Sequence, residues 1–353
     1  MRLIMALLRL LVNSGKNCYI FDMKKMPIAV FTFSLLLVFS SCGQSDSSGF
    51  SVGVFVPGFI EGSPTYELMA SGVQRAVDER PGTNLVFIEA GFNQSQWEES
   101  MMTMAASGQH DIIVSSNPAM PDIVRRVLEE HPQQHFLLLD AEMPGEKTVH
   151  SVAYSHFEQG FLNGYAAGLI SKSNMQNANE GVRVGLIAGQ EYPAMNTQIK
   201  AGFISGARQA NPRASLDFRV VGSWNDPAKA AELSRSMISN GADVILTICG
   251  GGNQGVIATA REAGAYVSWF DISGYDYAPD VIVASTYVLQ DTAVYDTLLK
   301  AIDGELTFGE SETFGVKEGY IGFDYSHPVF VKNVPGDIRE AIISMEQHLR
   351  GDK

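Results

Sequence analysis

The sequence predicts an α/β protein built as two doubly wound lobes, each with a parallel sheet. Three observations support this prediction. Apolar runs of strand length alternate with helical spacing from Phe50 onward. The alternation passes into a second series beyond residue 154, in a chain of 353 residues that is long enough for about two domains. Residues 242–271 also form a complete strand, glycine-rich turn, helix and strand, the unit from which parallel sheets are made.

The predicted elements follow from apolar runs and from the Gly and Pro residues that stop them. The strands of the first series are 51–56, 84–89, 111–115, 135–140 and 152–154, and its helices are 66–79, 95–107 and 122–130. The strands of the second series are 182–187, 215–221, 243–249, 265–270 and 281–285, and its helices are 158–171, 197–210, 227–240 and 255–263. We expect an N-terminal lobe of residues 50–154 plus about 286–312, and a C-terminal lobe of 155–285 plus about 313–353.

The glycine-rich turn admits two interpretations. Gly250, Gly252 and Gly255 spell G-x-G-x-x-G between a strand and a helix, and Asp271 follows the next strand, as in a dinucleotide fingerprint. Alternatively, the glycines only allow close packing in a short turn. The second interpretation is favoured because the chain carries an export signal, and nicotinamide enzymes are not expected outside the cytoplasm. In either case the turn and residues 269–271 are expected to face one site beyond the strand ends.

Composition excludes several classes of function. A net charge of −14 argues against nucleic acid or an anionic membrane surface as a partner. The cysteines at 18, 42 and 249 show no C-x-x-C spacing and no accompanying histidine cluster. We therefore expect neither a disulfide framework nor a metal site, and we place Cys249 in the core.

The N-terminal region has the pattern of a lipoprotein signal. Lys24 and Lys25 precede an apolar run at 28–39, which is too short for a lasting membrane span. Cys42 follows small residues, as in a bacterial lipobox, although that pattern usually has an aliphatic residue in place of Phe39. An ordinary signal with an incidental cysteine is the alternative.

This pattern divides the first part of the chain. We predict a signal peptide at 23–41, a lipid on Cys42, a flexible tether at 42–49 and a membrane-anchored protein that faces the periplasm or the exterior. Residues 1–22 precede a complete signal, so we expect that translation starts at Met23.

Several segments carry a family resemblance. They are 138–140 (LLD), 158–168 (EQGFLNGYAAG), 201–206 (AGFISG), 224–227 (WNDP), 241–245 (GADVI), the 250–255 turn and Asp271. Over nearly all of 50–300 the chain resembles the basic membrane protein (Bmp) family of substrate-binding lipoproteins. The resemblance implies a type I periplasmic-binding-protein architecture, no catalytic cofactor, and delivery of a small ligand, chiefly a purine nucleoside, to an ABC permease and its ATPase.

The chain departs from the family pattern at several positions. Residues 61–66 (EGSPTY) replace the usual Asp-Asp-x-Ser-Phe-Asn run, and a lysine usual near Val288 is absent. Trp224 stands where Phe is usual, and Trp269 where Gly is usual. These larger aromatics make the chain resemble the spirochaetal riboflavin-binding branch, with purine nucleoside as the alternative ligand.

The loops at the strand ends supply aromatics, amides and carboxylates, with Lys200 the only base nearby. Such a set suits a flat heteroaromatic ring that carries a neutral polyol, since carboxylates accept from hydroxyl and ring N–H groups. The predicted ligand-binding residues are Phe59, Glu61, Tyr66, Asn117, Asp140, Tyr192, Asn196, Trp224, Asn225, Trp269 and Asp271.

Other classes of function find less support. The chain has no H-E-x-x-H or Walker G-K-[ST] motif, and its G-x-S-x-G match at residues 49–53 opens a predicted strand instead of forming a strand-to-helix elbow, so we predict no enzyme activity. A nicotinamide oxidoreductase and a purely structural surface lipoprotein remain the alternatives. A transcription regulator of the same fold would need a basic helical headpiece, which the sequence lacks.

Overall fold

The computed structural model describes residues 49–179 and 181–351. The predicted signal peptide, the predicted lipid on Cys42 and the predicted start at Met23 therefore lie outside the described residues.

The strands form two six-stranded sheets. Those of the first sheet are β1 Ser51–Val56, β2 Asn84–Glu89, β3 Ile112–Ser116, β4 His135–Leu139, β5 Val149–Tyr154 and β11 Ser311–Phe314. Those of the second are β6 Arg183–Ala188, β7 Ser215–Val220, β8 Ala242–Ile248, β9 Tyr266–Trp269, β10 Ile282–Val288 and β12 Ile321–Phe323.

The two sheets repeat one topology. Their orders are β11-β5-β4-β3-β1-β2 and β12-β10-β9-β8-β6-β7, so each strand has a counterpart in the other sheet. All pairs are parallel except β10 with β12, which is antiparallel. The prediction of two doubly wound parallel-sheet lobes is confirmed. By this repeat, β4 of the first sheet corresponds to β9 of the second.

Helices cover the sheets, as parallel sheets require. Those of the first lobe are α1 Pro64–Asp78, α2 Trp97–Ala106, α3 Met120–Glu130 and α8 Gln290–Ile302. Those of the second are α4 His156–Ser171, α5 Lys200–Ala210, α6 Pro227–Ser239, α7 Asn253–Ala263, α9 Pro328–Asn333 and α10 Gly336–Arg350. All seven residues of β8 are buried, which explains why five of them are apolar; the other two are Asp243 and Thr247. Within the described ranges, no helix has the length and apolar character needed to cross a bilayer.

The chain crosses between the lobes at three places: from β5 to α4, from β10 to α8, and from β11 to β12. These crossovers are hydrogen-bonded to one another. The Ser155 amide donates to the Phe314 carbonyl, and the Leu289 amide donates to the Tyr320 carbonyl. The three crossovers therefore form one narrow hinge between the sheets.

Helices α4 and α5 approach each other through glycines spaced four residues apart. A Cβ on Gly164 would lie 1.8 Å from the Phe203 carbonyl oxygen, and one on Gly206 would lie 2.0 Å from that of Phe161. No side chain fits at such distances, so the glycines are required for this contact. The contact matters for the site because α4 begins at the hinge.

We expect Gly206→Ala to destabilise the protein by roughly 1–3 kcal/mol, because the added methyl group must push two helix backbones apart. The measurement is urea unfolding followed by circular dichroism. Ser205→Ala, at an exposed neighbouring position of α5, is the matched control and should be nearly neutral. Equal stability of both variants would show that the backbones are not held this closely.

Candidate ligand-binding site

A cavity of about 730 Å³ lies between the lobes, at the carboxyl ends of the strands. Ligand clefts in open α/β sheets occur at this edge, and the volume suits a small organic molecule. Residues from all parts of the fold reach it, including Asn117 after β3, Gln190 after β6 and Gln290 at the start of α8.

A charged cluster forms the hinge end of the cavity. Asp140 follows β4, Asp271 follows the equivalent strand β9, and His156 is the first residue of α4 at the crossover. The His156 Nε2 lies 2.8 Å from Asp140 Oδ1, and Gln159 Nε2 donates to Asp271 Oδ1 at 3.4 Å. The two lobes thus place equivalent carboxylates near one imidazole, one paired with it and the other acting on it through its charge.

Both aspartates have left-handed backbone conformations, with φ of 53° at Asp140 and 70° at Asp271. Non-glycine residues adopt this region rarely, and such strain is concentrated at functional sites. The conformation turns each chain sharply at the strand end, where the carboxylate meets the cavity.

Burial and pairing set the charge of this cluster. Burial alone lowers the pKa of His156, but the charge of Asp140 and its hydrogen bond, with smaller contributions from Asp271 and Gln159, raise that pKa to about 9. The pKa of Asp271 is raised to about 6, chiefly by burial. The positive charge of His156 opposes this increase, and the charge of Asp140 adds to it. At neutral pH the imidazole of His156 is therefore charged and Asp271 is ionised.

Aromatic side chains form the wall on the second lobe. Trp224 is 43% exposed, and its ring lies 6.2 Å from that of Tyr192. A Cβ on Gly189 would come within 2.5 Å of the indole, so the glycine at the end of β6 makes room for Trp224. Phe270 also lines the cavity, with its ring 6.3 Å from that of His156. Together these rings offer apolar faces beside the charged cluster.

The structure brings part of the predicted set together. The predicted residues that line the cavity are Asn117, Asp140, Tyr192, Trp224 and Asp271. Tyr66 stands directly behind Asn117, whose amide Nδ2 donates to the Tyr66 hydroxyl oxygen at 3.2 Å. That phenol donates in turn to the Pro57 carbonyl, and burial raises its pKa to about 12. Tyr66 is thus a support for Asn117.

Other predicted residues lie outside the cavity lining. Phe59 pairs edge to face with Phe92 and is 46% exposed, while Glu61 and Asn225 are exposed loop residues. Asn196 bridges Glu191 and Lys200 through its amide. We therefore assign none of these residues a position against the ligand.

Trp269 also differs from expectation. Its ring is buried against Tyr277, at a centroid distance of 5.1 Å, and it packs close to Gly274. Trp269 is the last residue of β9, and it is Phe270, directly after the strand, that reaches the cavity.

The glycine-rich turn does not line the cavity. Gly250 has a φ of 57°, and a Cβ at this residue would lie against the backbone of Trp224. A Cβ on Gly255 would lie 1.9 Å from the Pro227 carbonyl oxygen. The turn therefore supports the loop that carries Trp224, which agrees with the packing interpretation of its glycines.

Sequence reasoning missed several cavity residues. Tyr154, His156 and Gln290 stand at the crossovers, and Thr65 and Leu68 belong to the first turns of α1. Tyr154, His156 and Gln290 could have been found from the ends of the predicted lobes, because the segments that cross between the lobes border the cleft. Among the described residues, no group of His, Cys, Asp and Glu side chains is arranged to hold a metal ion.

Comparison with known proteins agrees with this architecture. The model of the Bmp family, described as ABC transporter substrate-binding protein PnrA-like, matches residues 50–347. The chain belongs to the Bmp family. Its resemblance to this family, inferred above from the sequence, is confirmed.

Similar proteins include the ABC transporter nucleoside-binding protein BmpA of Lactococcus lactis, 23% identical over 91% of this chain and 95% of that protein. A CD4+ T-cell-stimulating antigen of Listeria monocytogenes is 23% identical over 75% of this chain and 76% of its own length. The crystal structure of an ABC transporter solute-binding protein from Aeropyrum pernix superposes with a TM-score of 0.74 at 21% identity, covering 86% of this Bmp chain and 91% of that one. The last similarity establishes the fold.

The charge of His156 should make stability depend on pH. Since its folded pKa of about 9 exceeds the unfolded value, its stabilisation is fully present below about pH 6.5 and is lost as pH rises through 9. We expect a loss of roughly 1–3 kcal/mol between these limits in urea unfolding. His156→Asn should abolish this part of the pH dependence, whereas His348→Asn, at an exposed position of α10, should retain it. An unchanged profile in His156→Asn would contradict the assignment.

Proposed function

We propose that this Bmp-family protein captures riboflavin in the cleft between its lobes for uptake by an ABC transporter. The observation that carries the proposal is the composition of the cavity wall. Trp224, Tyr192 and Phe270 present aromatic faces, and Asp140 and Asp271 present carboxylates. A flat ring can stack on the first set, and a polyol or ring N–H can donate to the second.

The charges of the cavity favour a neutral ligand. Its lining includes Asp122 and Glu191 in addition to the two aspartates of the cluster, and in the described part of the chain it includes no lysine or arginine. Lys200 is engaged elsewhere: its Nζ donates to Asn196 and lies 4.5 Å from the centre of the Phe218 ring. The charged group in the lining that could meet a phosphate is His156, and its imidazole is already paired with Asp140.

Riboflavin is placed first because the cavity is large, at about 730 Å³, and because Trp224 offers a wide indole face to a tricyclic ring. Purine nucleoside is the second candidate. It is favoured by the similarity to the L. lactis nucleoside-binding protein. Both ligands join a flat heteroaromatic ring to hydroxyl groups, so the wall residues would act in the same way on either.

The hinge supplies a mechanism for capture. Asp140 and Asp271 belong to different lobes, and His156 lies between them at a crossover. A ligand that stacks on Trp224 and bonds to the aspartates would contact both lobes and favour their closed arrangement. The closed protein would then present a surface to the permease and its ATPase subunits. Anchoring through a lipid on Cys42, facing the periplasm or the exterior, would hold the protein near them.

The proposal is tested by calorimetric titration of the purified protein with riboflavin and with guanosine. The absorbance spectrum before and after denaturation shows whether flavin is already bound. Tight binding of riboflavin alone supports the first candidate, and tight binding of guanosine alone supports the second. Binding of neither, by protein that has been unfolded and refolded to remove ligand, would contradict the proposal.

Trp224→Ala should weaken binding of riboflavin by roughly 1–3 kcal/mol, the value of a stacked aromatic surface. Tyr325→Ala is the matched control, because Tyr325 is an exposed aromatic of the same lobe outside the cavity lining. Trp269→Phe should instead lower thermal stability and leave affinity nearly unchanged. Equal affinity of the wild type and Trp224→Ala would remove Trp224 from the site.

A phosphate on the ligand should weaken binding at least about tenfold, because it would meet the carboxylates of the cleft while the imidazole of His156 is already paired with Asp140. The comparison is riboflavin with FMN, and guanosine with GMP, in the same buffer. Raising the salt concentration should reduce the difference in affinity between each ligand and its phosphorylated form, since screening weakens the repulsion between charges. FMN that binds as well as riboflavin would show that the cavity accepts anions.

A further inference from the structure

Tyr154 ends β5, the last strand before the first crossover, and lines the cavity between the lobes. It is 3% exposed. β5 runs beside β4, with Val152 in register with Leu139. Tyr154 and Asp140 therefore end neighbouring strands at the hinge end of the cleft.

The hydroxyl of Tyr154 is buried and has no hydrogen-bond partner among the described residues. Nearby polar side chains are already engaged: Gln290 donates to the Thr65 carbonyl, and His156 pairs with Asp140. Of the buried side-chain atoms without a partner in the described chain, those of His150, Asp243 and Tyr275 belong to residues outside the cavity lining. Tyr154 alone combines an unpartnered hydroxyl with a place in the cleft.

The chemistry of this hydroxyl is that of a donor. Burial raises the pKa of Tyr154 well above its usual value, and the charges of Asp140 and Asp291 add to the effect, so the phenol keeps its proton. A buried O–H without an acceptor is unfavourable, and an oxygen atom of a bound molecule would relieve it.

We infer that Tyr154 is a ligand-binding residue of this cleft and that its hydroxyl donates a hydrogen bond to an oxygen of the bound molecule. The inference rests on the proposed function, since it concerns the same cavity. Both candidate ligands carry such acceptors, as ring carbonyls and as hydroxyls of the sugar or polyol chain. A hydroxyl that accepts from Tyr154 could also donate to Asp140, because the two residues end adjacent strands.

The test compares Tyr154→Phe with Tyr275→Phe. Tyr275 is the matched control, because it too has a buried hydroxyl without a partner, but it packs against His327 and Phe330 away from the cavity. Affinity is measured by titration with riboflavin, with lumiflavin, which has the same ring without the polyol, and with guanosine. Unfolding of each ligand-free variant is measured in parallel.

We expect Tyr154→Phe to bind the ligand about 3- to 10-fold more weakly, with ligand-free stability unchanged or higher, and Tyr275→Phe to bind as the wild type does. If the variant binds both riboflavin and lumiflavin more weakly, the acceptor is a ring carbonyl. If it binds only riboflavin more weakly, the acceptor is a hydroxyl of the polyol.

Two results would overturn the inference. One is a Tyr154→Phe affinity within about twofold of the wild type. The other is a loss of affinity in Tyr154→Phe that is matched by Tyr275→Phe. A wild type that binds neither riboflavin nor guanosine would instead refute the proposed function, and the inference would fall with it.

Discussion

The ion pair between His156 and Asp140 is the interaction on which the cleft depends. It joins the carboxyl end of a strand in the first lobe to the first residue of a helix in the second, at a crossover. Removing either partner would leave the other, which is mostly buried, without its closest counter-charge, and this is costly. Asp271 approaches the same imidazole from the equivalent strand of the other lobe. The repeated fold thus places two carboxylates near one cation, and the hydroxyl and N–H donors of the ligand must fit the acceptor atoms that remain.

The aromatic wall depends on backbone packing at some distance from the ligand. Trp224 lies over Gly189, and the turn at Gly250 supports its backbone, so small residues in two loops fix the position of one indole. The glycines of α4 and α5 act similarly, since they hold the helix that begins with His156 close to its neighbour. A G-x-G-x-x-G pattern that suggests a nucleotide cradle is therefore used here for packing between protein segments. Glycine serves both in nucleotide-binding turns and in contacts between protein segments. The two uses are distinguished only by whether the atoms close to the glycines belong to a ligand or to the protein.

The sequence was sufficient to predict the two parallel sheets, because buried strands such as β8 are mainly apolar and helices end at Gly or Pro. Asp140, Asp271 and Trp224 could be predicted as cavity residues because strand ends meet at one edge. Trp269 could not be separated from Phe270, since the face to which a strand residue points depends on how the two lobes are arranged. The predicted lobe boundary marks the position of Tyr154 and His156, but not their roles, because the His156–Asp140 pair and the unpartnered Tyr154 hydroxyl depend on how the strand ends pack. No element after residue 285 was predicted, so Gln290 at the start of α8 was missed as well.

The most direct test of the account is a crystal structure of the protein with riboflavin, and a second one with guanosine. The account predicts electron density for the ligand between the lobes, with its ring against Trp224 and its hydroxyl groups or ring N–H within hydrogen-bond distance of Asp140 or Asp271. It also predicts that the His156–Asp140 pair is retained. A ligand bound outside the cleft, or one whose ring avoids Trp224 while the two aspartates face solvent, would contradict it.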